Sequence, residues 1–103
     1  MNIVIEDDYL EELIKTNSNP EGKRKYPVAV ENKFLFRIGQ IQAAINENDL
    51  RNNRTLHFEK LKGNRKETYS IRVKDGWRII FRLEGNGLIK IMHIEELSNH
   101  YAK

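Results

Sequence analysis

The stretch that decides the fold is residues 68–83, TYSIRVKDGWRIIFRL. Apolar and polar residues alternate on both sides of Asp75-Gly76, which is the pattern of two antiparallel strands joined by a turn. A two-residue turn would mix apolar and charged side chains on both faces of the hairpin. A three-residue loop over residues 74–76, with Gly76 in the left-handed conformation, keeps them apart. This loop gives the pairs Val73 with Trp77, Ile71 with Ile79, and Tyr69 with Phe81.

The other face of this predicted hairpin carries three arginines, Arg72, Arg78 and Arg82, together with Ser70 and Ile80. Like charges on one strand face repel each other by about 0.2–1 kcal/mol per adjacent pair, so an anionic ligand would stabilise the cluster. A guanidinium group suits phosphate, because its planar fork binds two oxygens and it keeps its charge. The alternative interpretation is a set of ordinary surface ion pairs, with Glu59, Glu67 or Glu84 as partners.

The pattern upstream of the hairpin is mainly helical. Residues 2–5 predict a short first strand, and Asp7 or Asp8 can cap a helix with apolar positions at helical spacing. Residues 16–25 form a polar loop rich in turn formers. Pro27 then suits the first turn of a second, amphipathic helix that lies on a sheet. The apolar stripe of this second helix is Phe34, Leu35, Ile38, Ile41, Ala44 and Ile45.

The period changes to two from residue 55 onward, which predicts strands over residues 55–61, 68–73, 77–83 and 88–94. These four strands form an antiparallel meander. The predicted fold class is α+β, with an N-terminal strand and two helices packed on a twisted, mainly antiparallel sheet, in the order β-α-α-β-β-β-β. The chain has 103 residues, 39% of them hydrophobic, and we expect one domain over residues 1–103.

The charge is distributed unevenly along the chain. Residues 1–50 carry six Lys/Arg against nine Asp/Glu, whereas residues 51–103 carry twelve against six. Nine of the twelve basic residues lie between Arg54 and Arg82. A polyanion is the natural partner for such a stretch.

Composition excludes several classes of protein. The chain has no cysteine, so it has neither disulfides nor a thiolate metal site, and we expect a cytoplasmic protein. We expect neither a secretory leader nor a membrane-spanning segment, because the sequence has no apolar stretch of the length that either needs. Its histidines and acids do not have metal-ligand spacing, so we expect no metal and no cofactor.

His93, inside an apolar strand, is expected to be hydrogen-bonded and partly buried.

Residues 61–82, LKGNRKETYSIRVKDGWRIIFR, resemble the core of the HigB and YoeB branches of the RelE/ParE toxin superfamily. Those branches share a leucine-lysine-glycine motif and then an aromatic residue, a serine and an arginine. An aromatic-arginine-isoleucine motif and a phenylalanine follow, and a histidine-tyrosine element ends the chain. The order of the predicted elements is also theirs, so the resemblance implies a RelE-like fold over nearly the whole chain.

The resemblance also implies catalytic residues. Glu59 falls where YoeB-like enzymes have a general base, and Arg78 falls where they have an arginine on the scissile phosphate. His100-Tyr101 matches the family's ending, after an extension around residues 95–98. RNA cleavage without a metal needs a base for the ribose 2′-hydroxyl, a cation for the charge on phosphorus and an acid for the leaving 5′-oxygen. Glutamate, arginine and histidine can fill these roles, while Tyr101 stacks on a base or orders the phosphate. His57 is expected to share a strand face with Glu59.

A chain with this resemblance is expected to be the toxin of a type II toxin–antitoxin system that cuts messenger RNA on the ribosome. The expected products are a 2′,3′-cyclic phosphate and a 5′-hydroxyl. The residues expected to bind RNA are Lys60, Lys62, Arg65, Lys66, Arg72 and Arg82. The expected partner is a helix-turn-helix antitoxin similar to HigA, which covers the arginine face or the helices in a hetero-oligomer. Two alternatives stay open: a ParE-like, non-enzymatic inhibitor of DNA gyrase, and a non-catalytic RNA-binding module.

Overall fold

The computed structural model describes residues 1–17, 24–61, 67–87 and 90–99. Its helices are α1 (Asp8–Thr16), α2 (Val28–Ala43) and α3 (Glu47–Asn52), and a 3₁₀ turn (Arg54–Leu56) follows α3. Its strands are β1 (Asn2–Ile5), β2 (Glu59–Lys60), β3 (Thr68–Lys74), β4 (Trp77–Glu84) and β5 (Ile91–Ser98). The strands form a five-stranded sheet in the order β1-β5-β4-β3-β2. β1 and β5 run parallel and the other neighbours run antiparallel, which confirms the predicted α+β class.

The β3–β4 hairpin has the predicted register over most of its length. Ile71 pairs with Ile79, and Tyr69 pairs with Phe81. Because side chains alternate along a strand, these four residues share the face that packs on the helices. Ile71, Ile79 and Phe81 are fully buried there.

The turn of this hairpin differs from the prediction. Lys74 pairs with Trp77 across two residues, and the positive φ, 54°, belongs to Asp75 and not to Gly76. The predicted left-handed Gly76 and the predicted pair of Val73 with Trp77 are therefore wrong. A β-bulge at Val73 takes up the extra residue, so the short turn and the apolar face coexist.

The core lies between this face of the sheet and the helices. The Asp7 side chain caps α1 by accepting a hydrogen bond of 2.9 Å from the Leu10 backbone N–H. α2 begins after Pro27 and buries three residues of its predicted stripe, Phe34, Ile38 and Ile41. It ends at Ala43, however, and Ile45 is 81% exposed, so the prediction that Ile45 belongs to the stripe is wrong.

The predicted strand over residues 55–61 is mostly wrong. The Asn53 side chain accepts a hydrogen bond from the Thr55 backbone N–H, which supports the 3₁₀ turn there. His57 then has a left-handed φ of 46°. Strand pairing is confined to Glu59–Lys60, because this capped turn and the left-handed residue bend the chain before it can run beside β3.

β5 extends beyond its predicted end. It runs to Ser98, with a bulge at Glu95 where the pairing with β4 shifts by one residue. The extension around residues 95–98 is thus strand, and it places Ser98 directly opposite Arg78. The predicted start of this strand, residues 88–89, lies outside the described residues.

Candidate active site

Arg78 lies on the sheet face that points away from the helices, and it is only 9% exposed. Its side chain reaches across β3 towards β2. Nε donates a hydrogen bond of 2.7 Å to Oγ of Ser70, and Nη2 donates to the backbone carbonyl of His57. Ser70 is itself fully buried. Two neutral acceptors on different elements therefore hold the guanidinium in one direction.

Glu59 is the residue that the fold brings to this guanidinium. Oε1 of Glu59 lies 3.7 Å from Nη2 of Arg78. The short strand β2 sets this position, because Glu59 pairs in register with Ser70. The Glu59 side chain is 42% exposed, against 11% for Arg78. A separation of 3.7 Å is longer than a hydrogen bond, so the carboxylate keeps oxygen lone pairs for another donor.

Charge at this centre is only partly balanced. Burial lowers the pKa of Arg78, the charge of Glu59 acts in the opposite direction, and the charge of Arg72 lowers the pKa further. Arg72 is the ladder partner of Arg78 and is exposed. A guanidinium still stays protonated under these conditions. The site therefore consists of the fixed guanidinium of Arg78, with the cation Arg72 and the accessible carboxylate of Glu59 beside it. Such a set of charges suits a phosphate diester.

The third arginine of the predicted row is separate from this centre. Arg82 forms ion pairs of 2.7 Å with Glu6 and with Glu95. For Arg82, therefore, the ion-pair interpretation describes the structure, although its partners differ from those considered. Lys60 is exposed, but it pairs with Tyr69 and so lies on the other face of β2 from Glu59.

The two histidines within the described residues have different surroundings. His57 does not share a strand face with Glu59, because it is the left-handed residue between the 3₁₀ turn and β2. Its contribution to the centre is the carbonyl that accepts from Arg78. His93 is partly buried, with Nε2 at 2.6 Å from Glu84, so its prediction as a hydrogen-bonded group is confirmed.

Several predicted site residues lie outside the described residues, namely Lys62, Arg65, Lys66, His100 and Tyr101. In the part of the chain that is described, the side chains form no group of three potential metal ligands. No helix of that part is long and apolar enough to cross a membrane.

Sequence reasoning missed the residues that hold Arg78. Ser70 was assigned to the correct face but not to a contact, and a backbone carbonyl such as that of His57 has no sequence signal at all. Arg37 was also missed. It is only 6% exposed, and it donates hydrogen bonds to backbone carbonyls of β3 and the 3₁₀ turn.

Comparison with known proteins identifies the family. The family profile described as a RelE-like toxin of type II toxin–antitoxin system HigB matches residues 4–96. This chain belongs to the HigB-like toxin family. Among solved structures, the HigB-like toxin is similar to the YoeB/ParE toxin from Agrobacterium tumefaciens, with a TM-score of 0.55 and 18% sequence identity. That match covers 98% of this chain and 100% of the other, and at this identity it shows the fold alone. A search of curated protein sequences finds no match.

Family membership establishes the coarse function. This HigB-like toxin is the toxin component of a type II toxin–antitoxin system, and such a system implies an antitoxin partner. HigB-like members of the RelE group are generally endoribonucleases. The resemblance to RelE/ParE toxins of the HigB type is therefore confirmed.

Proposed function

We propose that this HigB-like toxin is a cytoplasmic, ribosome-dependent endoribonuclease that cleaves messenger RNA without a metal ion. The observation that carries the proposal is the position of Glu59, 3.7 Å from a guanidinium that Ser70 and His57 hold in place. A proton acceptor and a fixed cation are thus within reach of a single phosphate diester. These are two of the three groups that the reaction needs.

In the proposed reaction Glu59 removes the proton from a ribose 2′-hydroxyl. The 2′-oxygen attacks phosphorus, and the bond between phosphorus and the 5′-oxygen breaks. Arg78 stabilises the negative charge that builds up on the phosphate oxygens. The leaving 5′-oxygen takes a proton from His100. The products are a 2′,3′-cyclic phosphate and a 5′-hydroxyl, and Tyr101 orders the substrate by stacking on a base.

The course of β5 supports the role given to His100. The strand places Ser98 opposite Arg78, and His100 follows two residues later in the sequence. Two residues of chain span at most about 7 Å. The residue proposed as the acid is thus near, in the sequence, to the strand position that faces the arginine.

The ribosome and the antitoxin complete the proposal. A small enzyme can depend on the ribosome to orient its substrate, so that it adds only catalytic groups and a basic surface. The predicted RNA contacts within the described residues are Lys60, Arg72 and Arg82, with Arg82 the weakest of them because two carboxylates already bind it. We propose that the antitoxin is a helix-turn-helix protein similar to HigA.

The test is induced expression in a bacterium, with growth and messenger RNA followed together. Glu59→Gln should restore growth and slow cleavage by about 100-fold or more, because general bases contribute at least that much. Arg78→Lys should have an effect of similar size, since removing one donor to a developing oxyanion costs about 100- to 1,000-fold. Glu12→Gln, an exposed position on α1, is the matched control and should still arrest growth.

The chemistry of the ends decides between mechanisms. Cleaved fragments should carry 5′-hydroxyl groups, which accept a ligated adaptor only after phosphorylation. Fragments with 5′-phosphates would contradict the proposed reaction. Growth arrest with broken DNA and intact messenger RNA would indicate gyrase inhibition instead, and RNA bound but left intact would indicate a binding module.

A further inference from the structure

A groove with a volume of about 470 Å³ borders the candidate active site. It lies between α2, the 3₁₀ turn and the C-terminal end of β3. His57 and Arg72 line its near side, and both contact the centre: the His57 carbonyl accepts from Arg78, and Arg72 is the ladder partner of Arg78. The cationic side chains that line the groove are Lys33, Arg37, Arg54, Arg72 and Lys74.

The positive charge of this groove has little compensation. Among the described residues that line it, Asp75 is the single acid. Within the described residues, no carboxylate oxygen lies within 4.0 Å of any of the five cations, whereas each of the four other described arginines has such a partner. Five like charges around one concave surface repel each other, and an anion from outside would relieve that repulsion.

Arg37 shows the imbalance most clearly. It is buried, yet its three hydrogen bonds go to neutral oxygens: the Arg72 carbonyl at 3.0 Å, Gln40 Oε1 at 2.9 Å and the Thr55 carbonyl at 3.4 Å. Burial and the charge of Arg72 lower the pKa of Arg37. A buried cation with no carboxylate beside it is costly, so an anionic ligand in the groove that Arg37 lines would stabilise it.

An exposed aromatic ring lies against two of the side chains that line the groove. Phe36 is 56% exposed, with Nζ of Lys33 at 4.9 Å and Cζ of Arg37 at 6.0 Å from its ring centroid. A basic groove with an aromatic side chain beside it is the arrangement by which single-stranded nucleic acids are bound, with phosphates in the groove and a base on the ring.

The lining favours RNA over an acidic protein segment. Val73 is the apolar residue of the groove, and it is buried beneath the surface. Protein interfaces are usually centred on apolar side chains that exclude water, whereas the other side chains that line this groove are polar or charged. A phosphodiester backbone needs only the cations.

We propose that this groove binds the backbone of single-stranded RNA next to the scissile phosphate, through Lys33, Arg54 and Lys74, with Phe36 stacking on a base. The proposal rests on the proposed function and deepens it, because it extends substrate binding from the Glu59–Arg78 centre to α2 and the β3–β4 turn. Arg37 is the buried positive charge at the base of the site.

The test measures binding to a 2′-O-methyl RNA of about 12 nucleotides by fluorescence anisotropy at several salt concentrations. This probe lacks the 2′-hydroxyl, so it binds without being cleaved. The double variant Lys33→Ala/Lys74→Ala should bind about tenfold more weakly at low salt. The slope of log affinity against log salt should fall by about 1.4, because each phosphate contact on a single strand contributes about 0.7.

The matched control is Lys15→Ala/Lys25→Ala, which removes the same charge from positions that do not line the groove. It should leave the salt slope unchanged. Phe36→Ala should weaken binding about tenfold without changing the slope, because stacking releases no counter-ions. Thermal unfolding of each variant establishes that it is folded.

Two results would overturn the proposal. The first is an unchanged affinity and salt slope in the Lys33/Lys74 variant. The second is a polyglutamate peptide of equal charge that binds as tightly as the RNA and depends on the same two lysines, since the groove would then be a site for an acidic protein. Glu59→Gln separates this proposal from the catalytic one: it should slow cleavage by about 100-fold or more and leave binding of the 2′-O-methyl probe intact. Suppose that neither the wild-type protein nor any variant cleaves RNA, but the Lys33/Lys74 variant shows the smaller salt slope. The RNA-binding groove is then supported and the nuclease mechanism is wrong.

Discussion

Replacing Ser70 with alanine should destabilise the toxin through its effect on Arg78. Oγ of Ser70 is the acceptor for Nε of Arg78 at 2.7 Å, and both side chains are buried. Alanine leaves the N–H of a buried cation without that acceptor, and a hydrogen bond to a charged group is worth about 1.5–3 kcal/mol. The His57 carbonyl still holds Nη2, so the fold should persist. We expect the free energy of unfolding to fall by about 2 kcal/mol.

Urea denaturation with linear extrapolation measures this change. A double-mutant cycle isolates the interaction from the loss of packing. In an Arg78→Met background, Ser70→Ala should cost less than about 0.5 kcal/mol, because no guanidinium remains to lose its acceptor. An equal cost in both backgrounds would refute the reasoning, since Ser70 would then stabilise the sheet by packing alone.

The same substitution should lower the rate of RNA cleavage. Without Ser70 the guanidinium is held by one neutral acceptor instead of two, and a misplacement of about 1 Å can cost 100-fold in rate. We expect kcat to fall by about 10- to 100-fold while KM changes little, because the charge available for binding is unchanged. A rise in KM with kcat unchanged would show that Ser70 does not position a catalytic group.

Two further predictions concern the frame around the site. Asp7→Ala should lower the free energy of unfolding by about 1 kcal/mol, because it removes the side-chain cap of α1. Asp8→Ala should lower it by less, because the Asp8 side chain does not cap the helix. Urea denaturation of the two variants tests this prediction. Burial, reinforced by the charge of Asp7, raises the pKa of Tyr26 to about 12, whereas the unfolded chain has about 10. Below pH 10 the resulting stabilisation is fully present, and between pH 10 and 12 it is lost, because the unfolded chain releases a proton that the folded protein keeps. In Tyr26→Phe, the free energy of unfolding should depend less on pH between pH 10 and 12. An unchanged pH dependence would contradict the raised pKa of Tyr26.

The sequence by itself determined the faces of the elements. Alternation over residues 68–83 put Ile71 and Ile79 on the core face and Arg78 on the opposite one, and this is a local property of extended chain. A cap at Asp7 or Asp8 and the buried part of the apolar stripe of α2 were also predictable, because they depend on neighbours within a turn or two. The family motif over residues 61–82 lies within the same local pattern.

The tertiary structure decided where local signals end. The two-residue turn at Asp75-Gly76 is possible because of a bulge at Val73. The bulge leaves one residue unpaired, so the apolar side chains stay on one face, and the alternation of apolar and polar residues does not reveal it. The strand predicted before Glu59 was replaced by a capped 3₁₀ turn, because the Asn53 side chain competes for the backbone N–H of Thr55.

The contacts that make the site depend on residues far apart in the chain. Arg78 is held by Ser70 and by a carbonyl 21 residues away, and that acceptor is a backbone atom that every residue type has. The cationic groove forms because Arg37 of α2 docks on the Arg72 carbonyl, 35 residues away. The sequence thus determined which arginines face away from the core. The tertiary packing decided the surroundings of each arginine. Arg78 has a carboxylate beside it, Arg82 is neutralised by two ion pairs, and Arg72 lines a groove. These outcomes depend on distances that only the folded chain defines.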